Sequence, residues 1–147
     1  MESLNNLSNN IKELCQENDI NIKELAKILA IQDSLLYKYV NGVTMPTLKN
    51  LIKIANYFKC SLSFLVGLDS VNDYKNIDLK PNFINRYKLL LTKNGITNYL
   101  LCKNLNLTPS SLSNWEKGQL PYLDTLIAIS QFFNVSLDYL VGLSNEE

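Results

Sequence analysis

The chain repeats itself. Residues 61–68 read SLSFLVGL and return at 136–143 as SLDYLVGL, 75 positions later. The same displacement sets Pro46 on Pro121 and the run Leu51, Ile52, Lys53, Ile54 on Leu126, Ile127, Ala128, Ile129. One residue missing before Pro121 shifts everything upstream to 76, where Gly42 meets Gly118, Tyr39 meets Trp115 and Leu25 meets Leu101. A register kept over so many positions implies two copies of one supersecondary unit. The expected division is a first domain at 1–68, a polar linker at 69–82 and a second domain at 83–147. Pro81 is expected in the first turn of the helix that follows the linker.

Two domains within 147 residues leave each near the lower limit for a self-sufficient core, so both must be well packed. With 46% apolar and 19% charged residues the composition is that of a globular protein. Only four prolines and five glycines interrupt it, which favours helices, and β structure has little support.

Each copy reads as five short helices, so the fold class is all-α. In copy one the first helix spans Leu4 to about Asn18. Asn21 is a natural N-cap for the second, which sets Leu25, Ile28 and Leu29 on one face at helical spacing. A short gap from Ala30 to Gln32 leads to a third helix through Leu36 and Tyr39, stopped by Gly42. A fourth runs from Thr47 through Leu51, Ile54, Ala55 and Phe58, and Ser61 caps a fifth. Copy two repeats the plan with Thr97, Thr108 and Ser136 as caps and Pro109 at the first helical position.

The charge balance excludes several classes of function and favours none. Lysine plus arginine equal aspartate plus glutamate, and there is no histidine, so the basic bias common in nucleic-acid binders is missing overall. Over 83–143, however, Arg86, Lys88, Lys93, Lys103 and Lys117 face only Glu116, Asp124 and Asp138, a mildly basic balance. Cys15, Cys60 and Cys102 have no paired spacing, and without histidine no zinc site can be completed, so they read as reduced structural thiols. No metal, small-molecule cofactor or catalytic group is expected, because a glycine-rich phosphate loop is lacking and paired carboxylates such as Asp19 and Glu24 suit a helix surface. Neither a signal peptide nor a membrane-spanning run is recognisable, which predicts a cytoplasmic protein.

The second and third helices of each copy carry the functional signal. Two short helices joined by a tight turn can cross steeply only where a small residue sits at their closest approach and apolar residues pin both sides. Ala26 is that residue in copy one, with Leu25, Leu29, Ile31, Leu36 and Tyr39 as pins. Cys102 is its counterpart, with Leu101, Leu105, Leu107, Leu112 and Trp115.

This pattern, together with NWEKGQLP at 114–121 and SLDYL at 136–140, resembles the lambda-repressor-like, or XRE-type, helix-turn-helix family. The likeness covers roughly residues 8–68 and 82–143. It implies two tandem five-helix lambda-repressor-like domains, double-stranded DNA as the partner, and a transcriptional regulator, most often a repressor. The turn residue of this family is usually a left-handed glycine, a conformation that Asn106 tolerates better than Ala30 does. The family often pairs an arginine on the first helix with the glutamate of Trp-Glu. Here those positions read Cys15 and Val40 in copy one, whereas in copy two Glu116 stands opposite Leu91 and needs another partner or solvent.

Family geometry also implies which residues meet DNA. The third helix enters the major groove, which selects Gln32, Asp33, Ser34, Tyr37 and Lys38 in copy one and Thr108, Ser110, Ser113 and Asn114 in copy two. Lys38 suits guanine, Asn114 adenine, and Asp33 the amino group of cytosine. Asn21, Asn41, Thr97, Asn98 and Lys117, with backbone amides at the start of the second helix, are the implied phosphate partners. Tyr39 and Trp115 belong to the core, while Tyr37 falls on the exposed side.

A homodimer is expected, with the apolar helix ends Phe64/Leu65 and Tyr139/Leu140 as candidate contacts, although core packing is the better use of the two leucines. Control would come from abundance, oligomerisation or a protein regulator. The rival reading is a protein-interaction module in which one or both copies have lost DNA binding, and Asp33, Val40 and Ile22 of copy one favour it.

Overall fold

A computed structural model describes residues 2–75 and 80–147, which form two compact units divided after residue 75. Every regular element among the described residues is helical. The first unit contains α1 (Glu2–Glu17), α2 (Ile22–Leu29), α3 (Asp33–Val40), α4 (Leu48–Phe58) and α5 (Leu62–Leu65). The second repeats the order as α6 (Phe83–Lys93), α7 (Asn98–Leu105), α8 (Ser111–Glu116), α9 (Leu123–Phe133) and α10 (Leu137–Leu140). The fold is thus all-α and built from two tandem five-helix copies.

Capping chemistry places most of the boundaries. Asn21 Oδ1 accepts from Glu24 N at 2.8 Å, Thr47 Oγ1 from Asn50 N at 3.2 Å, and Ser61 Oγ from Phe64 N at 3.1 Å. Thr97 and Ser136 cap α7 and α10 in the same way. Each such bond satisfies one of the orphan donors of a helix start, for roughly 0.5–2 kcal/mol. The entry to α8 differs from the sequence expectation. Thr108 is not its N-cap and Pro109 is not its first residue, because the chain first winds a tighter turn in which Ser111 N bonds Thr108 O, Leu112 N bonds Pro109 O and Ser113 N bonds Ser110 O. These i→i+3 bonds are 3₁₀ in type, and the regular helix begins only at Ser111. Pro81 likewise lies ahead of α6, whose first residue is Phe83.

The core of the first unit is built on Leu7, Ile11, Leu25, Leu36, Tyr39, Leu51, Ile54 and Leu65, all buried. Ile28 is not part of it: it stands 58% exposed, because α2 is short and Leu25, Ala26 and Leu29 already fill its inner face. The second unit fills the same positions with other shapes. Where the first has Leu7, Ile11 and Tyr39, the second has Phe83, Tyr87 and Trp115, whose rings meet at centroid distances of 5.4–5.5 Å. The two rings against Trp115 meet it edge-on, the arrangement aromatic quadrupoles prefer. Three rings thus stand where the first unit has one ring and two aliphatic side chains, a larger volume with the helix order unchanged.

A second repeated device closes each unit. Asn10 Nδ2 donates to the carbonyls of Phe64 and Leu65 at 3.2 and 3.0 Å. In the equivalent place Arg86 Nη1 donates to the Tyr139 and Ser144 carbonyls at 2.9 and 2.6 Å, with its guanidinium 4.3 Å from the Tyr139 ring centroid. The first helix therefore satisfies the open carbonyls of the last one. Gly67 and Gly142, at φ +83° and +85°, permit the contact: a Cβ on Gly142 would stand 2.7 Å from the backbone nitrogen of Asn82. Leu65 and Leu140 are buried here, as core packing of the leucines requires, Tyr139 is buried with them against expectation as a dimer contact, and Phe64 is half-buried.

Beyond α5 the chain folds back on the first unit. Asn72 Oδ1 accepts from Ser61 N at 2.9 Å, and its Nδ2 donates to Lys59 O at 2.9 Å.

Candidate nucleic-acid interface

The turn between the second and third helices opens in the same way in both units. Ala30 and Asn106 close α2 and α7 in the left-handed conformation, at φ +55° and +57°. The next residue then bonds back five positions, Ile31 N to Ala26 O at 3.0 Å and Leu107 N to Cys102 O at 2.8 Å. This is the six-to-one bond of a Schellman ending. The carbonyls used belong to the two small residues, Ala26 and Cys102, and both are fully buried. A larger side chain there would hold the helices apart. Burial raises the Cys102 thiol above its ordinary pKa, as it does for Cys15 and Cys60, and all three are free.

α3 and α8 are held from behind and bare in front. Ser8 Oγ donates to Val40 O, tying α3 to α1 through one of the two residues that replace the family ion pair. Tyr39 is buried with its hydroxyl accepting from Asn50 Nδ2 at 3.0 Å, which ties α3 to α4. In the second unit Tyr87 donates to Asn98 Oδ1 at 2.7 Å, and Asn98 Nδ2 donates to Pro109 O at 3.1 Å. Asn98 thus joins α6, α7 and the start of α8, so its amide is a positioning group. Glu116, without an arginine opposite, is paired with Lys88 of α6 at 3.0 Å.

The residues selected from sequence fall into three groups. Gln32, Asp33, Ser34, Tyr37, Lys38 and Asn41 are exposed along α3 and its end. Thr108, Ser110, Ser113, Asn114 and Lys117 are exposed along α8 and its approaches, with Ser113 Oγ bonded to Ser110 O at 2.9 Å. Asn21 and Thr97 are exposed but cap their helices, and Asn21 Nδ2 also holds Glu24 Oε1 at 2.6 Å. Tyr39 and Trp115 are buried as expected. Lysines 23, 27 and 103, exposed on α2 and α7, were not selected, although cations beside a reading helix are the usual phosphate partners.

A further feature was missed in sequence. Beside α8 lies an open cleft of about 270 Å³ lined by Leu107, Asn114, Trp115, Gln119, Leu120 and Tyr122, among others. The sequence feature that accompanies it is the one-residue shortening before Pro121, beside the lining residues Leu120 and Tyr122.

The fold and this surface define a protein with two copies of a helix-turn-helix domain. A family model described as helix-turn-helix matches residues 11–65 and again 81–140. The chain belongs to that family, the lambda-repressor-like or XRE-type helix-turn-helix proteins, and in this broad sense is a DNA-binding regulator and not a member of an enzyme family. No curated protein and no solved structure matches it. Among the described residues no helix is long and apolar enough to cross a membrane.

Proposed function

We propose that the chain is a cytoplasmic, sequence-specific repressor of transcription that reads the major groove of double-stranded DNA with α3 and α8. The observation that carries this reading is the repeated left-handed turn at Ala30 and Asn106. It seats both third helices on a buried small residue and leaves their outer faces to solvent. Asn114, Ser110, Ser113 and Thr108 meet base edges from copy two, and Lys38, Tyr37, Ser34, Asp33 and Gln32 from copy one. Asn41, Lys117, Asn21 and Thr97 lie where phosphates pass, while Asn98 orients α8. Repression follows from occupancy of an operator.

The near-zero net charge makes single-copy binding weak, and a homodimer would multiply the contacts, under the control of a protein regulator. Selection of bound duplexes from a random DNA pool tests the reading. Recovery of one motif, bound with an affinity that falls steeply between low and moderate salt, is the expected result. Recovery of no motif would leave the alternative, a protein-interaction module, which Asp33 at the start of α3 favours because it repels phosphate.

A further inference from the structure

The two copies share a fold but not the charge around the reading helix. From the cap of the second helix to the first turn of the fourth, copy one carries Lys23, Lys27, Lys38 and Lys49 against Glu24 and Asp33. The matching stretch of copy two carries Lys103 and Lys117 against Glu116 and Asp124. All of these side chains are exposed. Among the described residues none of the copy-one lysines is in an ion pair. The basic residues that make copy two cationic overall lie instead on α6 and are engaged, Arg86 with the Tyr139 and Ser144 carbonyls, Lys88 with Glu116 and Lys93 with Glu147.

The register of the repeat sets Lys23 against Tyr99, which is 61% exposed, and Lys49 against Asp124. Asp124 sits in the first turn of α9, where the helix dipole favours an acid, and Lys49 in the first turn of α4, where the same dipole opposes a cation. Helix stability accounts for the aspartate and not for the lysine. Lys49 adjoins Asn50, whose amide holds the Tyr39 hydroxyl at 3.0 Å, so the start of α4 stands beside α3. On the other flank Lys23 and Lys27, one turn apart, share the face of α2 that the buried Leu25, Ala26 and Leu29 leave to solvent. Unpaired cations on both flanks of a reading helix suit a polyanion whose phosphates run along the edges of the groove.

We propose that copy one supplies the grip on the DNA backbone, through Lys23, Lys27 and Lys49, and that copy two, whose flanks lack most of these cations, reads bases with little grip of its own. The inference rests on the DNA-reading function proposed above. It gives the charge-driven, sequence-independent share of affinity to the first copy, and leaves the second to discriminate through the neutral Asn114, Ser110 and Thr108.

The test uses the full chain and follows how its affinity for the selected duplex and for scrambled DNA falls with salt. Each lost phosphate contact makes that dependence shallower by about one unit and weakens all sequences alike. A triple variant, Lys23→Gln, Lys27→Gln and Lys49→Gln, should flatten it by about three units and keep the preference for the selected duplex. The reciprocal pair, Tyr99→Lys with Asp124→Lys, should steepen it by about two units, because copy two gains the cations it lacks. All five positions are exposed, so the variants leave both cores intact. An unchanged slope in the triple variant, with the preference retained, would overturn the proposal and leave the DNA-reading function standing. A slope that the reciprocal pair does not steepen would overturn it as well, since copy two would then not be seated on DNA as a reader. Failure of the unaltered chain to prefer any duplex would remove both.

Discussion

Lys88 Nζ lies 3.0 Å from Glu116 Oε2 and joins the middle of α6 to the last residue of α8. The cation sits three residues before Leu91, the place where the family carries arginine, so one helical turn of displacement restores a bridge between the first and third helices. Both side chains are about half exposed, and exposed pairs contribute only ~0–1 kcal/mol. A double-mutant cycle with Lys88→Ala and Glu116→Gln should return a coupling in that range, shrinking in high salt. A coupling well above it would mean that the pair is a structural clasp in its own right.

The left-handed turn residues should respond oppositely to substitution. Ala30 holds φ +55° with a Cβ, whereas Asn106 at +57° is of a type that tolerates this region. Ala30→Gly should stabilise the first unit by about 0.5–1 kcal/mol, and Asn106→Ala should destabilise the second by a similar amount. Urea unfolding of the full chain, followed separately through Trp115 for the second unit, measures both.

Closure of the second unit depends on Gly142. Its φ of +85°, and the mere 2.7 Å that would separate an added methyl from Asn82 N, mean that backbone must shift to admit any side chain. Gly142→Ala should cost about 2 kcal/mol or more. It should also weaken the Asn82 N–H bond to Val141 O, now 2.7 Å, and an increase in amide exchange at Asn82 would report it.

Base-reading and phosphate-holding residues separate by experiment. Asn114→Ala should change the preferred sequence at one base pair, a loss of ~1–3 kcal/mol for that base alone. Lys117→Ala should lower affinity for selected and scrambled DNA alike and make the salt dependence shallower by about one unit. If Lys38→Ala abolishes discrimination while Asn114→Ala leaves it intact, copy one is the discriminating half.

Alkaline conditions should unfold the protein. Burial pushes the thiols of Cys15, Cys60 and Cys102 above their ordinary 9.0, and the Tyr87 hydroxyl well above its ordinary 10.0. Below those ordinary values both folded and unfolded chains keep the protons, and the contribution is complete. Above them the unfolded chain releases protons that the folded chain retains, so stability falls as pH rises. The urea midpoint should be level near neutrality and decline beyond about pH 9. A Cys102→Ala variant should show a weaker decline.

The fold was largely legible because periodicity, caps and the repeat agree at every level. Ser61 and Ser136, Asn21 and Thr97, and the small residues Ala26 and Cys102 all act as their types suggest. Errors arose where a short helix makes spacing ambiguous. On α2, Ile28 shares a turn with Leu25 and Leu29 yet faces water, and at α8 a 3₁₀ turn uses Thr108 and Pro109 before the regular helix starts. The surface positions of α3 and α8 were legible through family likeness. What could not be read were long-range polar pairings, such as Asn10 with the end of α5, Asn98 with Pro109 and Lys88 with Glu116, since nothing local in a sequence marks the partner.

Asn72 sets where the first unit ends. A domain boundary at 68 would count the residues beyond it as tether, yet Asn72 Oδ1 accepts from Ser61 N and its Nδ2 donates to Lys59 O. Cutting the chain at 68 would leave that donor and that carbonyl, both at the junction of α4 and α5, to water. A first domain prepared alone therefore keeps its own hydrogen bonds only if it runs through residue 72.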